Sequence, residues 1–464
     1  MTEEILKNDE IKQRRRAAVA VALLTCFTMS LIGSALNLSI PSISSDLQVE
    51  ASVVGWLVTA YMLTVATLSV PFGRLADIWC RKSELVIGIG VFLAGCVGAA
   101  LSPNMAVLLV MRVLQGIGAS MVMSTNTPIL ISAYPPEMRG RAIGYSIAAV
   151  YVGLSLGPVI GGMLNHNLGW RSIFVAASIM AVVALIVAAT GIKKEVIEGR
   201  GRSFDMAGNI LYAVFIVAFM YGLSEVEKGI VPLIIIGISL VFGVAFVLHE
   251  LKTDDPALDL GLFRSNIGYT LSNVAALLNY GATFAISYLT SIYLQVVMGF
   301  TSQTAGLILI AQPVVMAILT PRMGRLSDRK SPFVLSSIGM GFCALGTLFF
   351  LFIDENTQLA LIIAVLIITG IGFSFFSSPN TNAIMSCVER KDYGIATSVL
   401  NTMRSIGQTT SMVIVTIIVA VMLPGMQITQ ASPEMLVSVI HRAFIIFTIM
   451  CIVGIFISLK RKKQ

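Results

Sequence analysis

The sequence predicts an all-α polytopic membrane protein with fourteen membrane helices and both termini in the cytoplasm. Three observations carry this: fourteen long apolar runs, the side on which the basic residues fall, and an internal repeat at offsets of 251 to 254 residues.

The apolar runs come first. Of 464 residues, 56% are hydrophobic and only 12% charged, whereas a soluble domain carries roughly a quarter charged residues. The deficit extends over the whole length, so one buried core cannot absorb it. Runs bounded by Pro, Gly or charge fall at 17–40, 52–72, 83–101, 106–131, 140–163, 171–190, 206–224, 229–248, 267–295, 303–321, 332–353, 358–386, 393–423 and 438–459. Each approaches or exceeds the ~20 residues that cross ~30 Å of hydrocarbon. The first run follows Lys12, Arg14, Arg15 and Arg16 and so imitates a signal peptide. It is longer than such a core and lacks a small-residue cleavage site before a soluble domain, so it reads as a membrane helix.

Charge then sets the orientation. With the N-terminus inside, 26 of the 31 Lys and Arg fall on the inner side, three outside (Arg171, Lys228, Arg442), and Arg112 and Arg404 lie within helices. That asymmetry is the positive-inside rule. It accounts for the net charge of +7 without a nucleic-acid partner. The six cysteines have no metal-ligand spacing and the three histidines lie near helix ends, so neither metal nor other cofactor is expected.

The halves resemble each other. Gly73-Arg74-Leu75-Ala76-Asp77 recurs as Gly324-Arg325-Leu326-Ser327-Asp328, 251 residues on. Gly116-Ile117-Gly118-x-Ser120-x-x-x-Ser124-x-Asn126-Thr127 recurs at 370–381, and Glu137-x-Arg139 matches Glu389-x-Lys391. Such matches imply a parallel tandem duplication. The offset exceeds six helices with loops by about two helices, so the order is six, an inserted pair, six. The expected parts are a cytoplasmic tail (1–16), a first bundle (17–192), a linker holding helices 7 and 8 (193–265), a second bundle (266–459) and a basic tail (460–464).

These motifs resemble those of the major facilitator superfamily, and specifically its fourteen-helix drug:proton antiporters. Gly73, Leu75, Ala76, Asp77, Arg81 and Lys82 fit that family's loop signature G-x-L-A-D-x-x-G-R-K, with Cys80 where glycine is usual. Gly153-x-x-x-Gly157-Pro158-x-x-Gly161-Gly162 is similar to the antiporter signature of helix 5, and Arg112-x-x-Gln115-Gly116-x-Gly118 to a helix 4 motif. Leu260-x-Leu262-Phe263-Arg264 and Asn401-x-x-Arg404-x-x-Gly407 also look like this family. The resemblance implies a major facilitator fold and no enzymatic activity. It implies secondary active transport by alternating access: multidrug efflux by an antiporter in the cell membrane, exchanging a small-molecule substrate for protons. The chain is expected to act as a monomer within the lipid bilayer.

Roles follow for individual residues. Gly73, Arg74, Asp77, Arg81, Lys82, Gly324, Arg325, Asp328 and Arg329 are expected to form a duplicated cytoplasmic latch. Gly73 would permit an abrupt helix exit, and Asp77 would sit at the N-terminus of the following segment, free to pair with Arg81 or a neighbouring helix. Gly153, Gly157 and Gly161 recur every four residues and line one helix face suited to close packing, beside a bend at Pro158 and with Gly162 next to the stripe. Arg112, Gln115 and Arg404 are coupling candidates, since an intramembrane arginine is costly without a partner. Asn37, Tyr61, Asn126, Asn279, Tyr288, Gln312 and Asn380 are candidates to line the substrate cavity, although such residues equally make interhelical hydrogen bonds.

One departure bears on substrate. Relatives carry an aspartate in helix 1 in a pattern like L-D-x-T-x-V-N-x-x-x-P, and Ile32 occupies the acid's position in Leu31-Ile32-Gly33-Ser34-Ala35-Leu36-Asn37. No Asp or Glu falls in the middle of any run. A buried carboxylate would attract cations and carry protons. Its absence favours neutral or anionic substrates, and leaves open a metabolite carrier coupled differently or not at all.

Overall fold

The computed structural model describes residues 2–49, 51–192, 203–226, 229–253, 255–258, 260–423 and 432–460. The first bundle comprises α1 (Thr2–Leu47), α2 (Ala51–Ile78), α3 (Arg81–Ala100), α4 (Met105–Ser132), α5 (Arg139–Leu168) and α6 (Arg171–Gly191). The inserted pair is α7 (Met206–Ser224) and α8 (Ile230–Glu250). A short α9 (Leu260–Ser265) leads to the second bundle. It contains α10 (Ile267–Thr283), α11 (Ile286–Ile292), α12 (Ser302–Leu309), α13 (Ala311–Ser327), α14 (Pro332–Phe349), α15 (Leu359–Ser386), α16 (Tyr393–Met422) and α17 (Pro433–Leu459).

Thirteen helical stretches among the described residues are long and apolar enough to cross a membrane. The fourteenth crossing, expected as one run over 267–295, is interrupted. It consists of α10, α11 and a π-helical turn over Tyr293–Val297. At the break, the Ala285 N–H donates to Ser411 Oγ of α16 at 3.1 Å. A side chain from another helix has entered the backbone ladder, a recognised cause of kinks. The run expected over 303–321 is likewise two helices, α12 and α13, meeting at Ile310.

Sequence signals fix many of the helix starts. Asn104 accepts from the Val107 N–H at 3.0 Å, Asp205 from Gly208 at 2.9 Å and Asn266 from Tyr269 at 2.9 Å. Each satisfies a donor that the first helical turn leaves orphaned.

Helices in both bundles touch through glycines. A Cβ at Gly88 would lie 3.1 Å from the Gly118 carbonyl, and one at Gly339, in the second bundle, 2.7 Å from that of Gly372. A Cβ at Gly116 would meet the Tyr61 carbonyl at 3.1 Å, and one at Gly370 that of Gln312 at 2.8 Å. The repeat in sequence is therefore a repeat of close backbone approaches, the economical way to pack helices where no hydrophobic effect drives them together.

The α1–α5 seam uses the same device. Gly153 and Gly157 sit against Phe27 O and Ser34, where added Cβ atoms would have neighbours at 2.7 Å and 2.6 Å, and Gly161 faces Ala35. Ser34 Oγ donates to the Leu154 carbonyl at 3.1 Å across the seam. Gly162 lies off this stripe, with nothing within 4 Å of an added Cβ. Replacing Gly157 with Ala should therefore cost about 1–3 kcal/mol through overpacking. Replacing Gly162 with Ala should leave stability unchanged or raised, as thermal unfolding in detergent will show.

Candidate functional site

The two halves meet most closely at the cytoplasmic face, through two contacts that repeat each other. Asp77 lies in the last turn of α2. Its Oδ1 accepts from the Gly394 N–H and its Oδ2 from the Ile395 N–H, both at 3.0 Å. Both donors belong to the first turn of α16. Asp328 follows α13 and does the same at α5, with Oδ1 accepting from Gly140 at 2.5 Å and Oδ2 from Arg141 at 2.9 Å. A carboxylate at a helix N-terminus gains from orphaned donors and from the helix dipole together.

Two expectations are corrected here. Asp77 does not begin the following segment, and the helix it serves is α16 in the other half. Gly73 marks no exit, since α2 continues to Ile78. Its lack of a side chain matters for approach instead: a Cβ there would lie 2.8 Å from the Gly394 carbonyl and 2.8 Å from Ser398 Cβ. Gly324 and Gly140 face each other in the same way.

The contacts differ in their cations. Arg81 donates to Asp77 Oδ1 at 2.8 Å and to the Arg390 carbonyl at 2.5 Å. The position four residues past Asp328 is Pro332, so the second copy has no such arginine. Arg74 lies 3.8 Å from Asp255 in the segment after α8, whereas its repeat mate Arg325 donates to Tyr145 Oη at 2.7 Å. Lys82 reaches the Ala189 carbonyl at 3.0 Å, and Arg329 is exposed. Burial holds the Asp328 carboxyl above the ordinary aspartate value despite the two N–H bonds and Arg141.

Towards the outer face the halves separate. The inner end of α5 is almost wholly buried from Gly140 to Ala149, while Val152, Leu154, Leu156, Val159 and Met163 are exposed. Residues 152 and 154 point about 200° apart on a helix, so α5 is bare there on both sides of its glycine stripe. In α16 the residues from Tyr393 to Thr402 are buried, and burial thins beyond them. The arrangement is closed at the cytoplasm and open outside.

At mid-depth, Arg112 is 1% exposed. Its Nε donates to the Leu57 carbonyl at 2.8 Å, its Nη1 to Gln115 Oε1 at 2.6 Å, and its guanidinium lies 4.5 Å over the Tyr61 ring. Carbonyl, amide and π-face replace an acid. Arg404 donates to Tyr280 Oη at 2.8 Å and stacks over that ring at 4.8 Å. Tyr280 meets Phe373 edge-on, as does Tyr151 of the other half, and Tyr151 bonds Ser377 at 3.3 Å. These rings form an aromatic layer beneath the outer opening.

The other candidates serve mainly within single halves. Asn126 Nδ2 donates to Thr25 at 3.2 Å, Asn279 Nδ2 to Met340 Sδ at 3.2 Å, and Asn380 Nδ2 to the Ser272 carbonyl at 3.2 Å. Gln312 is buried in α13, Tyr288 is exposed, and the Asn37 side chain lies outside those described. A cavity of about 150 Å³ is lined by Trp56, Met62, Tyr221, Phe284, Gln408 and Met412 among others. Its wall includes α7: Trp56 and Tyr221 pair at 5.8 Å, and Tyr212 Oη lies 2.8 Å from Thr402 Oγ1 and 3.3 Å from the Ala66 carbonyl. The inserted helix thus covers the α2–α16 seam. Sequence offered only the lone Trp56 and Tyr221 in apolar runs as signals.

Two bundles of repeat-related helices, closed over a polar floor at one face, define a polytopic transporter fold. The chain belongs to the Major Facilitator Superfamily, which it matches over residues 21–412, with a second match over 273–463. It is 30% identical to the riboflavin transporter RibZ of Clostridioides difficile over 83% of this chain and 85% of that protein. The multidrug resistance protein Stp of Mycobacterium tuberculosis is 29% identical over 84% of this chain and 73% of its own length. The methylenomycin A resistance protein of Bacillus subtilis is 28% identical over 89% and 91%. Among solved structures, the human organic anion transporter MFSD10 superposes with a TM-score of 0.68 at 15% identity, covering 97% of this chain and 99% of that one.

Replacing Asp77 or Asp328 with Asn removes a charged acceptor and should weaken its contact by about 1–3 kcal/mol. Ser398 is buried 3.1 Å from Ser124 across the halves. A cysteine placed at Ser398 should then react faster with an impermeant thiol reagent applied from the cytoplasmic side.

Proposed function

We propose that this protein is a secondary active exporter of small amphipathic compounds, driven by proton exchange and working by alternating access in the cell membrane. One observation carries the reading. Two repeat-related carboxylates each cap a helix of the opposite half at the cytoplasmic face, while the outer halves of the same helices stand apart. A reciprocal pair of this kind is a latch: breaking both contacts would let the bundles rock and open the cleft inward. The drug-resistance relatives support export.

The substrate class follows from electrostatics. Ile32 is buried where relatives carry an acid, and the charges at mid-depth are Arg112 and Arg404. A cleft with one buried and one part-buried cation and no buried carboxylate at that depth among the described residues suits neutral or anionic molecules. The aromatic and methionine-rich lining suits flat, apolar bodies. The same facts favour a second reading, carriage of one neutral planar metabolite with other coupling or none, and the riboflavin transporter among the relatives adds to it.

Inside-out vesicles carrying the protein distinguish the two. Under an imposed proton gradient, export predicts accumulation of drug-like test compounds and release of protons when a compound is added. Riboflavin uptake with no proton movement would favour the second reading, and movement of no compound in either direction would overturn both. Replacing Ile32 with Asp should raise transport of lipophilic cations, on the order of tenfold for a restored buried attraction of about 1.4 kcal/mol.

A further inference from the structure

Glu84 stands in the first turn of α3 and is 0% exposed. Neither carboxylate oxygen has a hydrogen-bond partner among the described residues. The nearest cations in sequence are committed elsewhere. Arg81 holds Asp77 at 2.8 Å and the Arg390 carbonyl at 2.5 Å, and Lys82 holds the Ala189 carbonyl at 3.0 Å.

The elements packed on α3 supply no counter-charge. α4 carries one charged residue, Arg112, engaged with Leu57 and Gln115 nearer the outer face. α6 carries only Arg171, at its outer end and paired with Asp46 at 2.6 Å. On α2, Tyr61 lies under Arg112 and Arg74 faces Asp255. The charged neighbour near enough to act on Glu84 is Asp77, of the same sign. Cys96, the ionisable group left on α3 besides Arg81 and Lys82, is about three turns away. The flanking residues Leu85 and Ile89 belong to an apolar cluster with Val122.

Buried from solvent, an anion in that position would have neither donor nor counter-ion among the described residues, a cost that the α3 dipole offsets only in small part. In the cytoplasm-closed arrangement the side chain is therefore the neutral acid. Opening would change this. Arg81 and Glu84 are three residues apart and share a helix face, so an Arg81 released from Asp77 comes within reach of Glu84 as water enters.

We propose that Glu84 is a proton-binding site linked to cytoplasmic closure: its carboxylate forms one O–H bond with a proton from water as the halves close, and returns it as they part. This rests on the rocking motion proposed above, and not on substrate or direction of transport. Arg81 is then the switch, paired to Asp77 when closed and to Glu84 when open.

The test measures distances between spin labels on Glu137 and Lys330, exposed on opposite halves at the cytoplasmic face, with Cys26, Cys80 and Cys387 replaced by Ser. In the wild type the closed-to-open ratio should fall as pH rises, one linked proton giving at most about tenfold per pH unit. Asp77 and Asp328 titrate as well, so the readout is the difference in slope between wild type and E84Q, the neutral isostere. E84Q should favour the closed state at high pH and lose the slope of one proton. E84M should do the same and keeps the test alive should E84Q fold poorly. Wild-type slopes in both variants would overturn the proton site while leaving rocking intact, provided D77N opens the structure. A single distance in every variant at every pH, D77N included, would overturn the rocking motion and the linkage with it.

Discussion

The structure turns on one interaction made twice: a carboxylate at the end of one helix capping the first turn of a helix in the other half. Asp77 on α16 and Asp328 on α5 hold the cytoplasmic ends together. Helix N-termini at a membrane face need acceptors for their orphaned N–H groups. Here those acceptors come from across the molecular seam, so the bonds that satisfy the helix ends also join the two halves. The glycine pairs Gly73–Gly394 and Gly140–Gly324 let the backbones come near enough for this.

Duplication gives the contact its mirror and also its asymmetry. Arg81 joins the first copy only, because Pro332 stands at the corresponding place in the second. The first copy also reaches the inserted segment, through Arg74 and Asp255. The α2–α16 side therefore holds the extra cation, the linker contact and the buried Glu84, whereas the α5–α13 side is a plainer hydrogen-bonded joint. α7 reinforces that difference by covering the α2–α16 seam with Tyr212 and Tyr221.

Buried charge in this chain is managed without mid-membrane acids. Arg112 rests on a carbonyl, an amide and a ring, and Arg404 on a tyrosine. Each keeps its charge in a low dielectric through oriented dipoles, which stabilise a cation while leaving the cleft positive. That electrostatic balance bears on substrate class more directly than any single polar side chain lining the cleft.

Much of this was legible in the sequence. Apolar length, basic asymmetry and the repeat determined helix number, orientation and the six–two–six order, because crossing a bilayer constrains those quantities locally. The stripe Gly153, Gly157, Gly161 was readable because a period of four residues puts side chains on one helix face. The tertiary structure alone decided which helix N-terminus Asp77 would cap, since the donors lie more than three hundred residues away in the chain. It also decided that Asn126, Asn279 and Asn380 bond within their own halves, and that the crossing over 267–295 breaks where Ser411 enters its ladder. Sequence ranks such residues by type, but partnership depends on which helices come to lie side by side. Glu84 shows the same division: its position at a helix end was plain, and only the packing of α2, α4 and α6 around it left it with no hydrogen-bond partner among the described residues.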